Sequence, residues 1–380
     1  GDQRRAGRVG GDAVMARLDE ICVINMGQSP DSLTYNEEGN GLPFFQGNAD
    51  FGEIYPMVRM WCSEPTKIAQ EKDILISVRA PIGALNIANC ECCIGRGLAG
   101  LTVNEDICVQ DYLWYALSSK VDELNSKGTG STFKAINKKI LAETEIPLLP
   151  LAEQRKIAAV LDQVSNLIAK RRQQLDKLDE LVKSRFIEMF GDPITNEMGW
   201  EKVQLSTCIE SIDNGKSLVC DTSARQGNWP AVLKLSAATY GFYRPEENKA
   251  MLDENQFVED AAVRAGDLLF TRKNTPELVG MCAYVYDTPS RLMMPDLIFR
   301  LNTTNRCNKV FLWKLINHNL FRDCIRAIST GSAKSMSNIS KERLLNLEII
   351  LPPAELQEQF AVFVAQIDKS KSFDDLEVAA

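Results

Sequence analysis

The sequence predicts an α+β protein built from two similar domains in tandem, each followed by a helical connector. Two observations predict this arrangement. Short motifs of the first half recur in the same order about two hundred residues later, and a long stretch without Gly or Pro separates the two copies. A period this long indicates repeated domains, because the units of solenoids and propellers run to roughly 20 to 50 residues. A chain of 380 residues has room for about two or three domains.

The offset between the recurring motifs rises slowly along the chain, as small insertions between two copies of one unit would produce. It is 188 at the first pair, 194 at the second, 199 at the third and 203 at the last. Chance matches would scatter instead of keeping this order. The pairs are residues 27–29 with 215–217, 73–77 with 267–271, 113–114 with 312–313, and 145–146 with 348–349.

The composition is that of an ordinary soluble globular protein, with 45% hydrophobic and 25% charged residues. No apolar run approaches the roughly 18 to 20 residues that would span a bilayer, and no secretory signal opens the sequence. We therefore expect a cytoplasmic protein with no membrane partner. The net charge of -8 is weak evidence against nucleic-acid binding, because a basic groove can coexist with an acidic back.

The first two segments are a short lead and a mixed domain. Residues 1–14 are rich in Gly and Arg and lack periodicity, so we interpret them as a tag or a disordered lead. Residues 15–147 combine short β-type runs, such as Ile74 to Val78, with turns and with a helix predicted over residues 111–124. They form the first α+β domain.

Eleven cysteines are a high count, and an odd number without a signal peptide favours reduced thiols. Cys90, Cys92 and Cys93 would hold zinc only if Cys108 completed the set, and their spacing matches no common C-x-x-C pair. The only histidine, His318, is far away in the sequence. We predict buried thiols and no metal site.

The central segment, residues 148–192, is predicted to be a long helix, because residues 152–190 contain neither Gly nor Pro. With Arg171 and Arg185 filling two gaps, the spacing of its apolar residues alternates between four and three, which is a heptad seam. Gly191, Asp192 and Pro193 end the helix. The seam residues proposed as a helix or partner interface are Ile157, Leu161, Val164, Ile168, Leu175, Leu178 and Val182.

The second α+β domain is predicted over residues 193–350, and a second helix over residues 351–380. The interface positions of that second helix are Phe360, Phe363 and Ile367. It ends about a dozen residues before it would match the first helix, so the seam around residues 178–189 is expected to lack an intramolecular partner. A partner subunit and a second copy of the chain are the two alternatives for covering it.

Four motifs carry a resemblance to a known family. They are residues 73–83 (DILISVRAPIG), 92–98 (CCIGRGL), 130–137 (GSTFKAIN) and 146–158 (IPLLPLAEQRKIA). In this order, and with the tandem repeat, they resemble the specificity subunits of type I restriction-modification systems. The resemblance covers nearly the whole chain from Met15.

The resemblance implies two target recognition domains, each reading one half of a split double-stranded DNA site. The long helices would pair as an antiparallel coiled coil, set the spacing and dock two methyltransferase subunits, with restriction subunits joining in the full enzyme. This chain would then carry no catalytic residues and no cofactor, since S-adenosylmethionine and ATP with Mg would bind only to the partner subunits. A duplex presents the same groove face every turn, about 34 Å, which suits two readers held at a fixed distance.

The candidate DNA contacts are basic, hydroxyl and amide side chains that follow glycines or β-type runs. Glycines let a backbone approach phosphates, and hydroxyls and amides donate to them. Arg pairs with guanine and Asn with adenine in bidentate geometry. Two alternatives stay open. The loops of residues 127–139 and 330–341 are then only hydrophilic connections, and the arginines are solvated residues at the rim of the domain or pair with carboxylates. The candidates are Arg79, Arg96, Ser131, Thr132, Lys134, Asn137, Lys138, Arg272, Lys273, Asn274, Ser332, Lys334, Ser335 and Asn338.

Two other classes of function stay open at this point. A coiled-coil scaffold with two protein-binding domains and no DNA role fits the heptads equally well. A catalytic DNA enzyme is disfavoured, because a chain with one histidine cannot supply a histidine-rich metal nuclease site, and the Pro-Pro-aromatic element of an amino-methyltransferase does not occur.

Overall fold

The protein, a computed structural model, is described over residues 14–130, 134–331 and 336–377, with side chains up to Lys371. It divides into two compact units, residues 1–170 and 171–380. The division falls within one 40-residue helix, Leu151–Phe190. Among the described residues, no helix is both long enough and apolar enough to span a membrane.

The first unit is an α+β unit built on a four-stranded antiparallel sheet, in the order β2-β10-β7-β8. A second sheet has the order β3-β5-β4-β9-β6, and β1 pairs with β11. The strands are β1 (Val14–Arg17), β2 (Cys22–Met26), β3 (Tyr35–Asn36), β4 (Leu42–Phe45), β5 (Trp61–Cys62), β6 (Ile68–Ala69), β7 (Ile74–Ser77), β8 (Leu85–Ile87), β9 (Cys92–Ile94), β10 (Leu98–Val103) and β11 (Glu145–Leu148). The helices are α1 (Leu18–Ile21), α2 (Gln110–Ser118), α3 (Val121–Lys127), α4 (Lys138–Ala142) and the start of α5 (Leu151–Phe190).

The second unit repeats this plan. Its four-stranded sheet has the order β13-β20-β16-β18, and β12 pairs with β22. Its strands are β12 (Glu201–Gln204), β13 (Ile209–Asn214), β14 (Ala231–Leu233), β15 (Asn248–Ala250), β16 (Leu268–Thr271), β17 (Lys273–Asn274), β18 (Cys282–Tyr284), β19 (Leu292–Met293), β20 (Ile298–Thr303), β21 (Ser337–Asn338) and β22 (Glu348–Leu351). Its helices are α6 (Ser236–Thr239), α7 (Lys309–Asn317), α8 (Arg322–Ala327), α9 (Lys341–Leu345) and α10 (Ala354–Glu377).

The two four-stranded sheets correspond strand by strand, which confirms the predicted tandem of α+β domains. In each sheet the long strand, β10 or β20, pairs antiparallel with two partners. The strands β7 and β16 are buried at every position because they lie inside their sheets. Each has three apolar residues followed by a buried polar one, Ser77 or Thr271. The predicted helix over residues 111–124 is instead two helices, α2 and α3.

A buried glutamine fastens each long helix to its own domain. The Oε1 atom of Gln154 accepts a hydrogen bond from Val109 N at 2.7 Å, and its Nε2 donates to Ile107 O at 3.1 Å and to Leu149 O at 2.7 Å. The same three bonds recur at Gln357, whose Oε1 accepts from Asn308 N at 2.8 Å. Both side chains are fully buried, so each amide bonds the first turn of a long helix to the start of α2 or α7.

The burial of side chains along α5 differs from the predicted heptad seam. Near the C-terminal end of α5, Val182, Phe186 and Phe190 are buried in the core of the second unit. The same core contains Phe311 of α7 and Leu301 of β20, so the helix packs there against a globular domain as well as against a helix. The expectation that residues 178–189 lack an intramolecular partner is therefore wrong.

The partner of this part of α5 is α10, which runs antiparallel to it. The ring of Phe360 lies 5.5 Å from that of Phe186 and 5.3 Å from that of Phe190. Farther along α10, the carbonyl oxygen of Lys371 accepts a hydrogen bond from Arg171 at 3.0 Å. Phe363 and Ile367 pack partly buried against the same core.

The N-terminal half of α5 presents its apolar residues to solvent. Ile157 is 36% exposed, Val164 44% and Ile168 48%. Leu161 in this half, and Leu175 and Leu178 in the C-terminal half, are half-buried. The assignment of these residues to a partner interface stays a prediction.

Candidate nucleic-acid interface

Three turns of the first unit lie side by side where β7 ends and β10 begins, at one end of the strands of its four-stranded sheet. The first follows β7 and contains Val78 and Arg79, the second joins β9 to β10 around Arg96, and the third contains Lys134 and Ile136. Backbone hydrogen bonds connect them: Val78 N donates to Gly97 O at 2.9 Å, Ile136 N to Val78 O at 2.9 Å, and Ala80 N to Lys134 O at 3.0 Å. We call residues 78–80, 95–97 and 134–136 the turn edge of the first unit.

The turn edge of the first unit is cationic and open to solvent. Arg79, Arg96 and Lys134 are all exposed. Backbone bonds hold all three on neighbouring turns, although they are up to 55 residues apart in the sequence. Such a group of donor-only side chains is suited to phosphate oxygens and to the acceptor atoms of bases.

The second unit forms the same edge from the matching turns. Arg272 N donates to Leu297 O at 3.0 Å, and Ile339 N donates to Arg272 O at 2.8 Å. The short strands β17 and β21 pair Lys273 with Asn338. We call residues 272–274, 295–297 and 337–339 the turn edge of the second unit.

Arg272 is held within the turn edge rather than projecting freely. Its guanidinium lies 4.9 Å from the ring centre of Phe299, and its Nε and Nη2 atoms donate to Asn338 Oδ1 at 3.4 and 3.3 Å. Arg272, Lys273 and Asn338 are half-buried. The structure therefore brings Asn338 together with Arg272 and Lys273, which the sequence nominated on a different stretch of the chain.

Two nominated asparagines make hydrogen bonds within their own units, and the DNA contacts expected of them stay a prediction. Asn274 is 7% exposed, and its amide donates to Thr239 Oγ1 at 3.1 Å while its Oδ1 accepts from Thr275 N at 2.8 Å. Asn137 caps α4 by accepting from Ile140 N at 3.0 Å. Lys138, in the first turn of α4, is exposed.

The remaining nominated residues, Ser131, Thr132, Ser332, Lys334 and Ser335, lie outside the described residues.

Sequence reasoning missed the residues that adjoin each turn edge at the end of β2 and β13. Gln28 N donates to Ile94 O at 3.0 Å, and Lys216 N donates to Met294 O at 3.0 Å. Both side chains are exposed. The sequence does mark these two residues, because they are the middle residues of the repeated motifs 27–29 and 215–217.

Close backbone packing explains the glycines that precede these two residues. A Cβ atom on Gly27 would lie 2.2 Å from Gly95 O, and one on Gly215 would lie 2.1 Å from Pro295 O. Any larger residue would push the strand away from the turn that carries Arg96 or Asp296. Each glycine therefore fixes the position of its turn edge.

The cysteines that are close in sequence do not form a single group in the structure. Cys92 and Cys93 lie on β9 but belong to two different core clusters, and Cys108 belongs to a third. Burial raises the pKa of Cys92 to about 12 and that of Cys108 to about 11. Within residues 14–130, 134–331 and 336–377, no three His, Cys, Asp or Glu side chains converge as a metal site requires.

A family model described as the type I restriction modification DNA specificity domain matches residues 11–180 and 197–374. Among curated relatives, the MjaX specificity subunit of a type I restriction enzyme from Methanocaldococcus jannaschii is 45% identical over 42% of this chain and 38% of its own length. The EcoEI specificity subunit from Escherichia coli is 29% identical over 50% of this chain and 33% of its own length. The matches therefore span little more than a third of these two relatives.

A solved structure shares the fold of the whole chain. The type I restriction-modification S subunit from M. genitalium matches 98% of this chain and 94% of its own length, with a TM-score of 0.57 and 14% identity. At this identity the match supports the fold.

Proposed function

Because this chain belongs to the type I restriction-modification DNA specificity family, we propose that it is the sequence-specific DNA-recognition subunit of such a complex. Each unit reads one half of a split site with its turn edge. The observation that carries this proposal is the recurrence of one backbone frame, with exposed or half-buried cations on it, in both units.

The turn edges suit DNA by their chemistry. Cations on neighbouring turns neutralise phosphates, which supplies most of the affinity and makes it depend on salt. Side chains at the corners of the turns are free to reach base edges, which supplies specificity. The overall charge of -8 does not oppose this, because the cations are concentrated locally.

The remaining parts of the proposal concern partners. Two methyltransferase subunits bind the long helices, and restriction subunits join where the system encodes them. S-adenosylmethionine and ATP with Mg bind on those subunits, and this chain itself performs no catalytic step. The exposed apolar residues of α5, Ile157, Val164 and Ile168, support a protein partner there. The complex works in the cytoplasm, where its DNA is.

The test is DNA binding by the chain with its methyltransferase subunit over a range of salt concentrations. Log affinity should fall linearly with log salt, and Arg79→Gln and Lys273→Gln should each lower the slope by about 1, the effect of one lost phosphate contact. Arg264→Gln is the matched control, since Arg264 is exposed but lies at the other end of β16 and pairs with Glu259 at 3.2 Å. Binding without salt dependence, or no binding, would favour a coiled-coil scaffold with no DNA role.

A further inference from the structure

Arg96 and Asp296 occupy the same position in two matching four-residue turns. The turn of residues 95–98 is closed by a hydrogen bond from Leu98 N to Gly95 O at 3.0 Å. The turn of residues 295–298 is closed by the bond from Ile298 N to Pro295 O at 3.2 Å. In each, the residue in question is the second of the four, at the corner of the turn.

The backbone around the two turns is held in the same way. The third residue of each turn accepts a hydrogen bond from the neighbouring turn, Val78 N to Gly97 O at 2.9 Å and Arg272 N to Leu297 O at 3.0 Å. The residue before each turn, Ile94 or Met294, accepts from the end of β2 or β13 at 3.0 Å. Because the backbone hydrogen bonds of the two turns match, the turns differ at this position only in the side chain, Arg96 or Asp296.

The two side chains have opposite charge and are available to a ligand. Arg96 is exposed and Asp296 is half-exposed. Within the part of the chain that the structure describes, neither side chain takes part in a hydrogen bond or an ion pair. This holds for Asp296 although Lys216, Arg272 and Lys273 belong to or adjoin the same turn edge.

The chemistry of the two groups assigns them to different bases. A guanidinium only donates, and it fits the O6 and N7 acceptors of guanine. An ionised carboxylate only accepts, and it fits an exocyclic amino group, that of cytosine above all. A carboxylate is also repelled by phosphate, so a role in backbone positioning does not fit Asp296.

We propose that Arg96 and Asp296 are equivalent base-reading residues, Arg96 selecting a guanine in one half-site and Asp296 a cytosine in the other. This inference rests on the proposed function and deepens it. The two copies thus share one base-reading position, and the charge of its side chain is positive in the first copy and negative in the second.

The experiment is selection of bound sites from randomised duplex DNA by the full chain in complex with its methyltransferase subunit, followed by sequencing. Arg96→Gln should reduce the preference for guanine at one position of one half-site by about 5-fold to 150-fold, the range of a lost bidentate contact. Asp296→Asn should replace the preference for cytosine in the other half with one for adenine. In each variant the other half-site should be unchanged, and Arg264→Gln should leave both halves as in the wild type.

The outcomes separate this inference from the proposed function. Should the wild type select a split motif that Arg96→Gln and Asp296→Asn both leave unchanged, the inference is overturned and the proposed function stands. Selection of no motif by the wild type would overturn the proposed function itself. Should Arg96→Gln not assemble, Arg96→Met supplies the same test, since it keeps an unbranched side chain but removes every donor.

Discussion

At the scale of single residues, His318 is the most unusual side chain outside the turn edges. It is 5% exposed, and its ring stacks on that of Phe186 with centroids 5.0 Å apart. Within the described residues, neither ring nitrogen has a hydrogen-bond partner. Burial lowers the pKa of His318 and outweighs the opposing attraction of Asp192. The neutral imidazole therefore serves as an aromatic packing residue at the end of α7.

The buried His318 predicts a loss of stability in acid. Below the ordinary pKa of 6.5, the unfolded chain takes up a proton that the folded second unit resists, so the free energy of unfolding falls as pH falls below that value. In His318→Phe this contribution should be absent. Urea unfolding at a series of pH values from about 7 to 5 measures it. An equally steep decline in His318→Phe would assign the acid sensitivity to other groups and contradict the role given to His318.

The residue scale is also where prediction from sequence reached its limit. Arg79, Arg96 and Lys134 were nominated because basic residues after β-type runs or glycines often bind DNA, and the structure places them on one edge. Asn274 met the same criteria but is buried against Thr239. Which way a side chain points depends on the tertiary neighbours of its strand, and a single sequence does not specify them.

At the scale of elements, the junction between each domain and its long helix depends on one glutamine. Gln154 and Gln357 each satisfy one backbone donor and two backbone acceptors that are otherwise shielded from water. A hydrocarbon side chain in either place would leave these groups without partners. The orientation of each helix on its domain thus depends on these buried bonds.

Gln154→Leu should lower the stability of the first unit by at least about 2 kcal/mol, because each buried group left unpaired costs about 1 to 3 kcal/mol. Gln163→Leu, an exposed position on the same helix, should change the stability by less than about 0.5 kcal/mol. Hydrogen exchange of the full chain measures both, and the faster exchange in Gln154→Leu should be confined to the first unit. Equal effects of the two substitutions would show that the buried amide is not what attaches the helix.

The long helix shows what periodicity does and does not predict. The absence of Gly and Pro located α5 to within a few residues, because these two residues are the ones that end helices. The heptad pattern did not reveal which residues would be buried. Val182, Phe186 and Phe190 are covered by a globular core as well as by α10. A heptad pattern predicts contacts between helices and does not predict contacts with a domain.

At the scale of the whole molecule, the chain is a duplication of one α+β unit with its long helix. The same sheet order, the same glutamine bonds and the same turn frame occur in both units, and the slow drift of the motif offsets predicted this duplication. The second layer of each unit differs, with the order β3-β5-β4-β9-β6 in the first and β15-β14-β19 in the second. The strands of this layer lie within residues 35–94 and 231–293. The motif offset rises from 188 before this segment to 199 after it, so the two copies differ there by insertions.

The most direct test of the central claim, that each unit reads its own half of one site, is methylation mapping of DNA from cells that carry this chain with its methyltransferase subunit. We predict a split, asymmetric motif methylated on both strands, with two short specified halves separated by unspecified bases. A single uninterrupted motif, or no sequence preference at all, would contradict the account.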